Sequence, residues 1–113
     1  MNLDELVHSI SNDDSDERIK LVHWVEDWKN SDKTVIDLLS LIEKWHGNVW
    51  FSNQEDQNKF YDNWVKFKQE AIDNIGGMTM NERLYWFGLF DIFDSCEDDV
   101  AKLIIYKKLL ANP

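Results

Sequence analysis

The sequence predicts an all-α fold, a compact bundle or orthogonal array of about five to six helices around a buried central helix near residues 80–93. Three observations carry this prediction. Helix breakers are scarce: the only proline is Pro113, and glycine occurs only at Gly47, Gly76, Gly77 and Gly88. Apolar residues recur at helical spacing along most of the chain, and no stretch alternates with the period of two that a half-buried strand needs. Ser or Thr stands three residues ahead of an acid before several of these runs, the signature of a helix N-terminus.

The first helix spans about residues 3–9, with Leu3, Leu6, Val7 and Ile10 on one side; at this length it is expected to fray. The second, about residues 15–30, turns Leu21, Val22, Val25 and Trp28 inward. Ser31 or Asp32 is the expected cap of a third helix, about residues 33–45, buried through Val35, Leu38, Leu39 and Ile42 and closed by Gly47. Asn48-Val49-Trp50-Phe51 is a short apolar connection. Ser52 and Glu55 form a capping box for a fourth helix, which runs to about Asn74 with Phe60, Tyr61, Trp64, Phe67 or Lys68, and Ala71 inward. Gly76-Gly77 ends it.

Thr79 and Glu82 open the fifth helix, residues 80–93. Its Leu84, Tyr85, Trp86, Phe87, Leu89, Phe90, Ile92 and Phe93 point in nearly every direction, as expected of a helix buried all round. Gly88 costs it about 1 kcal/mol of propensity relative to Ala and is explained if another helix packs closely there. Ser95 and Asp98 suggest a further capping box. The last helix then runs to about Ala111, with Val100, Leu103, Ile104, Lys107 and Leu110 as its inward stripe.

At 113 residues the chain forms one domain, 1–113. Six Trp, six Phe and three Tyr supply its core, since each large aromatic buries about 150–250 Å². The lone Cys96 has no partner for an internal disulfide and fits a reducing compartment. The start, Met-Asn-Leu-Asp-Glu-Leu, is acidic where an export signal is basic, so the chain reads as cytoplasmic. Asp and Glu number 22 against 12 Lys and Arg, a net charge of −10 that repels nucleic acid and anionic lipid and attracts basic partners.

Catalytic signatures are missing from the sequence. There is no glycine-rich phosphate loop, and His8, His23 and His46 fall on separate segments with no cysteine pair, so neither metal nor cofactor is expected. His23 and Asp27 share a helix face, a spacing that serves a surface hydrogen bond as well as half a metal site. Cys96 sits among Asp94, Glu97, Asp98 and Asp99, whose charge disfavours a thiolate nucleophile. The chain is therefore read as a binder rather than an enzyme.

Two acidic clusters are candidates for that binding. One comprises Asp13, Asp14, Asp16 and Glu17; the other comprises Asp91, Asp94, Glu97, Asp98 and Asp99. Both lie at helix starts, where the dipole favours two or three acids and leaves the rest unexplained. Trp24, Trp28, Trp45 and Trp64 fall on helical stripes and belong in the core. Trp50 and Phe51 are expected to fold back over the core; an exposed Trp50 beside acids would instead be an anchor in a charged rim.

The segment Thr79–Ser95 reads T-M-N-E-R-L-Y-W-F-G-L-F-D-I-F-D-S. It resembles a stretch near the C-terminus of many small bacterial proteins of unassigned role. Thr79, Asn81, Glu82, Arg83, Leu84, Gly88, Leu89, Asp91, Phe93 and Asp94 agree, with Phe90 and Asp91 one position off the commonest spacing. With the last helix the match covers about thirty of the 113 residues, and Arg83 with Glu82 and Asp94 looks like a structural network. As a whole, the chain resembles bacterial toxin-immunity proteins, including those of contact-dependent growth inhibition, which are small, cytosolic and often acidic. That resemblance is one of type and carries over no residue. It implies an antitoxin that binds a cognate basic nuclease toxin domain; the excess of clustered acid beyond capping needs then points to Asp91, Asp94, Glu97, Asp98 and Asp99, and next to Asp13, Asp14, Asp16 and Glu17, as the contact residues, with Trp50 as a candidate anchor. The alternative is an acidic helical adaptor or regulator of a basic host protein. Oligomeric state is left open.

Overall fold

The computed structural model describes residues 1–113 and contains seven α-helices and no strand. They are α1 (Leu3–His8), α2 (Ser15–Lys29), α3 (Val35–Asn48), α4 (Gln54–Phe67), α5 (Met80–Phe87), α6 (Phe90–Asp94) and α7 (Asp99–Lys108). The helical array expected from the periodicity is what forms, elongated at 46 × 25 × 19 Å.

The N-terminal half follows its apolar pattern closely. Leu3, Leu6, Val7 and Ile10 are all buried, so α1 is a wedge in the core rather than a frayed end. Asn2 and Glu5 close a capping box over its start. Leu21, Val25 and Trp28 of α2 meet Val35, Leu38, Ile42 and Trp45 of α3 in one core, joined by Phe60, Trp64, Phe67 and Ala71 from the α4 arm.

Three helix boundaries differ from the sequence reading, each for a local reason. α3 is capped by Thr34 with Asp37, because Ser31 is occupied in closing α2: its hydroxyl donates to the Trp28 carbonyl. Gly47 stays inside α3, which runs to Asn48 and is followed by the extended Val49. Asn53, not Ser52, caps α4, since Ser52 turns toward Asp14. Beyond Phe67 the helical path continues as a π-helix, Lys68–Asp73, and a single turn of 3-10 helix at Ile75–Gly77 ends it.

The central helix is the main correction. Residues 80–93 do not form one buried rod: the chain breaks at Gly88, whose φ of 64° places it in the left-handed region. Leu89 N–H donates to the Leu84 carbonyl and Gly88 N–H to the Tyr85 carbonyl, the paired bonds that terminate a helix at a left-handed glycine. Only Arg83, Leu84, Phe87 and Leu89 of this stretch are fully buried; α6 buries none of its residues completely, and Tyr85 and Phe90 are exposed. All-round apolarity here reflects two short helices with different inward faces.

The last helix is rotated relative to expectation. Ile105, Lys108 and Leu109 face the core, whereas Val100, Leu103, Ile104, Lys107 and Leu110 face outward. Lys108 decides the register: its ammonium donates to the carbonyls of Trp28 (2.5 Å) and Lys33 (2.7 Å) and sits over the Trp28 ring. Arg83 fixes the next residue, donating to the Leu109 carbonyl at 2.9 Å and to the Met78 carbonyl at 3.2 Å. Arg83 is thus structural as expected, through backbone carbonyls and not through Glu82 or Asp94.

Candidate partner-binding surface

The structure separates the two acidic clusters and gives them different surroundings. The first lies where α2 begins, beside the α3–α4 connection. Asp14 is 5% exposed, and its Oδ1 accepts from both the backbone N–H and the hydroxyl of Ser52, each at 2.8 Å. The same hydroxyl also donates to the Asp13 carbonyl. Across the same seam the Trp45 indole N–H donates to the Glu17 carbonyl at 3.2 Å. Asp14 is therefore a tether, buried away from any partner, a correction to its place among the partner-binding acids; its Oδ2 is buried without a hydrogen-bond partner. Asp13 and Asp16 are exposed, and Glu17 is half-buried.

These tethers hold Trp50. Its neighbour Phe51 turns inward against Trp45, His46 and Phe60, with ring centroids 5.9–6.3 Å apart. Trp50 points the other way and is 90% exposed. The expectation that both aromatics fold over the core holds for Phe51 alone. His46, near the end of α3, stacks on Tyr61 and leaves its Nε2 without a hydrogen-bond partner; burial lowers its pKa. A shallow groove of about 420 Å³ runs beside it, lined by Glu43, His46, Tyr61, Trp64 and Lys68.

The second cluster is on α6 and the α6–α7 turn. Asp91, Asp94, Glu97, Asp98 and Asp99 are all exposed. Asp98 accepts from Ala101 N–H and caps α7, so part of this cluster is local helix chemistry. Cys96 is half-buried and donates to the Ile92 carbonyl. Across the whole molecule only Asp4 and Glu26 form ion pairs, both with Lys29; the acids of both clusters are unpaired.

What the sequence could not show is that the first cluster lies beside the Trp50 connection. That follows from Ser52 crossing to Asp14, 38 residues earlier in the chain. The only trace of it in the sequence is a helix-start serine displaced one position from the true cap.

Removing the tether gives a measurable result. Asp14→Ala leaves the Ser52 N–H without its acceptor and is expected to destabilise the fold by about 1–3 kcal/mol. Hydrogen exchange should rise first at residues 49–53, and protection unchanged there would show that Phe51 alone holds the connection.

No protein-family model, curated protein or solved structure matches the chain. No helix is long and apolar enough to cross a membrane.

Proposed function

We propose that this protein is an immunity protein, an antitoxin that binds and neutralises a cognate toxin domain of basic, nuclease type. The observation that carries the reading is Trp50: a large aromatic, 90% exposed, on a connection that Phe51 packs down and that Ser52 ties to Asp13 and Asp14 at the start of the acidic α2, where Asp13 and Asp16 are exposed and unpaired. An exposed Trp ordinarily costs solubility. One held rigidly in an acidic rim has the make-up of an interface hot spot. A Lys- or Arg-rich toxin surface suits it twice over, by pairing with the carboxylates and by placing a cation on the indole face. Such a toxin uses its basic cleft to hold a nucleic-acid backbone, and the acids would occupy that cleft in its place.

The clusters divide the work. The Trp50 end supplies the close contact, and the exposed acids Asp91, Asp94, Glu97, Asp98 and Asp99 add to the negative field that speeds encounter.

The test is affinity capture from the native host at low and high salt, with partners identified by mass spectrometry. A stoichiometric basic nuclease retained at high salt supports the reading; recovery of only a house-keeping protein overturns it in favour of an adaptor role. With the nuclease in hand, Trp50→Ala is expected to weaken the complex at least tenfold, mainly through faster dissociation. Charge reversal at Asp91 and Asp94, which spares the Asp98 cap, should instead slow association and flatten its salt dependence.

A further inference from the structure

The outward face of α7 is the largest feature that the fold and the Trp50 surface leave unused. Val100, Leu103 and Ile104 are 69%, 47% and 42% exposed, and at spacings of three and four they lie on one face, with Lys107 one turn further on. The buried side of the same helix is complete with Ile105, Lys108 and Leu109. An amphipathic surface helix normally shows water its polar side; this one shows water an apolar stripe as well.

The charges along the stripe select its occupant. Asp99, at the N-terminal end, and Lys107, near the C-terminal end, are both exposed, and neither is in an ion pair. Lys102 is turned aside, over the ring of Phe93. A purely basic partner helix laid on this stripe would meet Lys107 with like charge. A second α7 laid antiparallel would not. With a two-fold axis between Leu103 and Ile104, Leu103 of each copy stands level with Ile104 of the other, Val100 lies against the aliphatic stem of Lys107, and Asp99 of one copy comes level with Lys107 of the other to within about 1.5 Å along the helix axis, twice over.

We infer that α7 is a self-association face, pairing antiparallel with α7 of a second copy through Val100, Leu103 and Ile104 and reciprocal Asp99–Lys107 ion pairs. The contact is small. A few side chains of a ten-residue helix fall well short of the ~800 Å² per partner of a standard stable interface, so the pairing is of the weak, reversible kind. Each copy carries a charge of −10; salt screens this repulsion and the exposed Asp99–Lys107 pairs alike, so the two effects oppose one another and the apolar contact is what persists at high salt. α7 is fastened at Lys108 to the α2–α3 corner, and Trp50 lies past the other end of α3, ~20 Å away for a helix of this length.

Sedimentation velocity of the full chain from 5 to 500 μM, at 50 and 500 mM NaCl, tests this. The expected result is a concentration-dependent shift from monomer to dimer that persists at high salt. Leu103→Asp, at an exposed position, should raise the dissociation constant more than tenfold without changing the helical circular-dichroism signal. Lys107→Asp should weaken pairing about threefold to tenfold, and the exchange Asp99→Lys with Lys107→Asp should restore it. A wild-type chain that stays monomeric at 500 μM overturns the inference. So does a dimer indifferent to Leu103→Asp, which would assign pairing to another face.

Discussion

Gly88→Ala is expected to destabilise the protein by about 2–3 kcal/mol. Two terms contribute. A left-handed backbone costs an alanine roughly 1 kcal/mol that glycine avoids. The added Cβ would also overlap the Asp4 carboxylate and press on the Lys29 ammonium, which pair at 2.7 Å beside the turn. Lys29 is nearly buried, so displacing Asp4 strands a cation whose remaining partner, Glu26, is 3.8 Å away. Asp4 is half-exposed and can partly swing aside, which keeps the estimate below the cost of deleting a buried partner. Urea denaturation of Gly88→Ala, Asp4→Ala and the double variant separates the terms. If the contact matters, the double variant loses less than the sum of the single losses. Strict additivity would leave only the backbone term.

Gly88 also shows where sequence reading succeeds and where it stops. The periodicity of residues 80–93 identified helix, and Gly88 stood out as needing a reason. Composition could not distinguish a close helix crossing from a left-handed terminator, because both demand a missing Cβ. Here both operate, since the turn is left-handed and α1 approaches it through Asp4.

The α7 register failed for a different reason. Residues 100, 103, 104, 107 and 110 form a better apolar stripe than 101, 105 and 108, and burial of apolar surface alone would choose them. The chain instead buries Lys108, because two carbonyls at the α2–α3 corner and the Trp28 ring offer its ammonium three favourable contacts. Nothing near Lys108 in the sequence announces partners 75 and 80 residues earlier. The candidate site was legible to the same degree. Acids and Trp50 could be nominated from composition, but the neighbours of Trp50 and the burial of Asp14 depend on one long-range serine contact.

Lys108 yields the second large effect, and it depends on pH. Burial pushes its pKa down to about 8, with Asp32 and Asp37 opposing from a distance, whereas in the unfolded chain it returns to 10.5. Between these values the unfolded state binds the extra proton, so stability rises with pH across the window from about 8 to 10.5. Below pH 8 both states are charged and the full cost of burying the ammonium is present; above 10.5 both are neutral and it is gone. The span corresponds to about 3 kcal/mol, at 1.36 kcal/mol per pH unit. Lys108→Met lacks this proton. At pH 7 it loses the donations to Trp28 and Lys33 but also sheds the buried charge, so it should fall only about 1–2 kcal/mol below wild type. The Trp28 carbonyl still accepts from Ser31, which limits the damage. Raising the pH to 10.5 should then widen the gap between wild type and variant by a further 2–3 kcal/mol, as only the wild type gains. Comparing the two proteins at each pH cancels the titration of tyrosines and surface lysines, which they share. A gap that stays constant from pH 7 to 10.5 would mean that the carbonyl pair and the indole face hold the ammonium charged throughout, and that α7 is locked to the α2–α3 corner by a cation at every physiological pH.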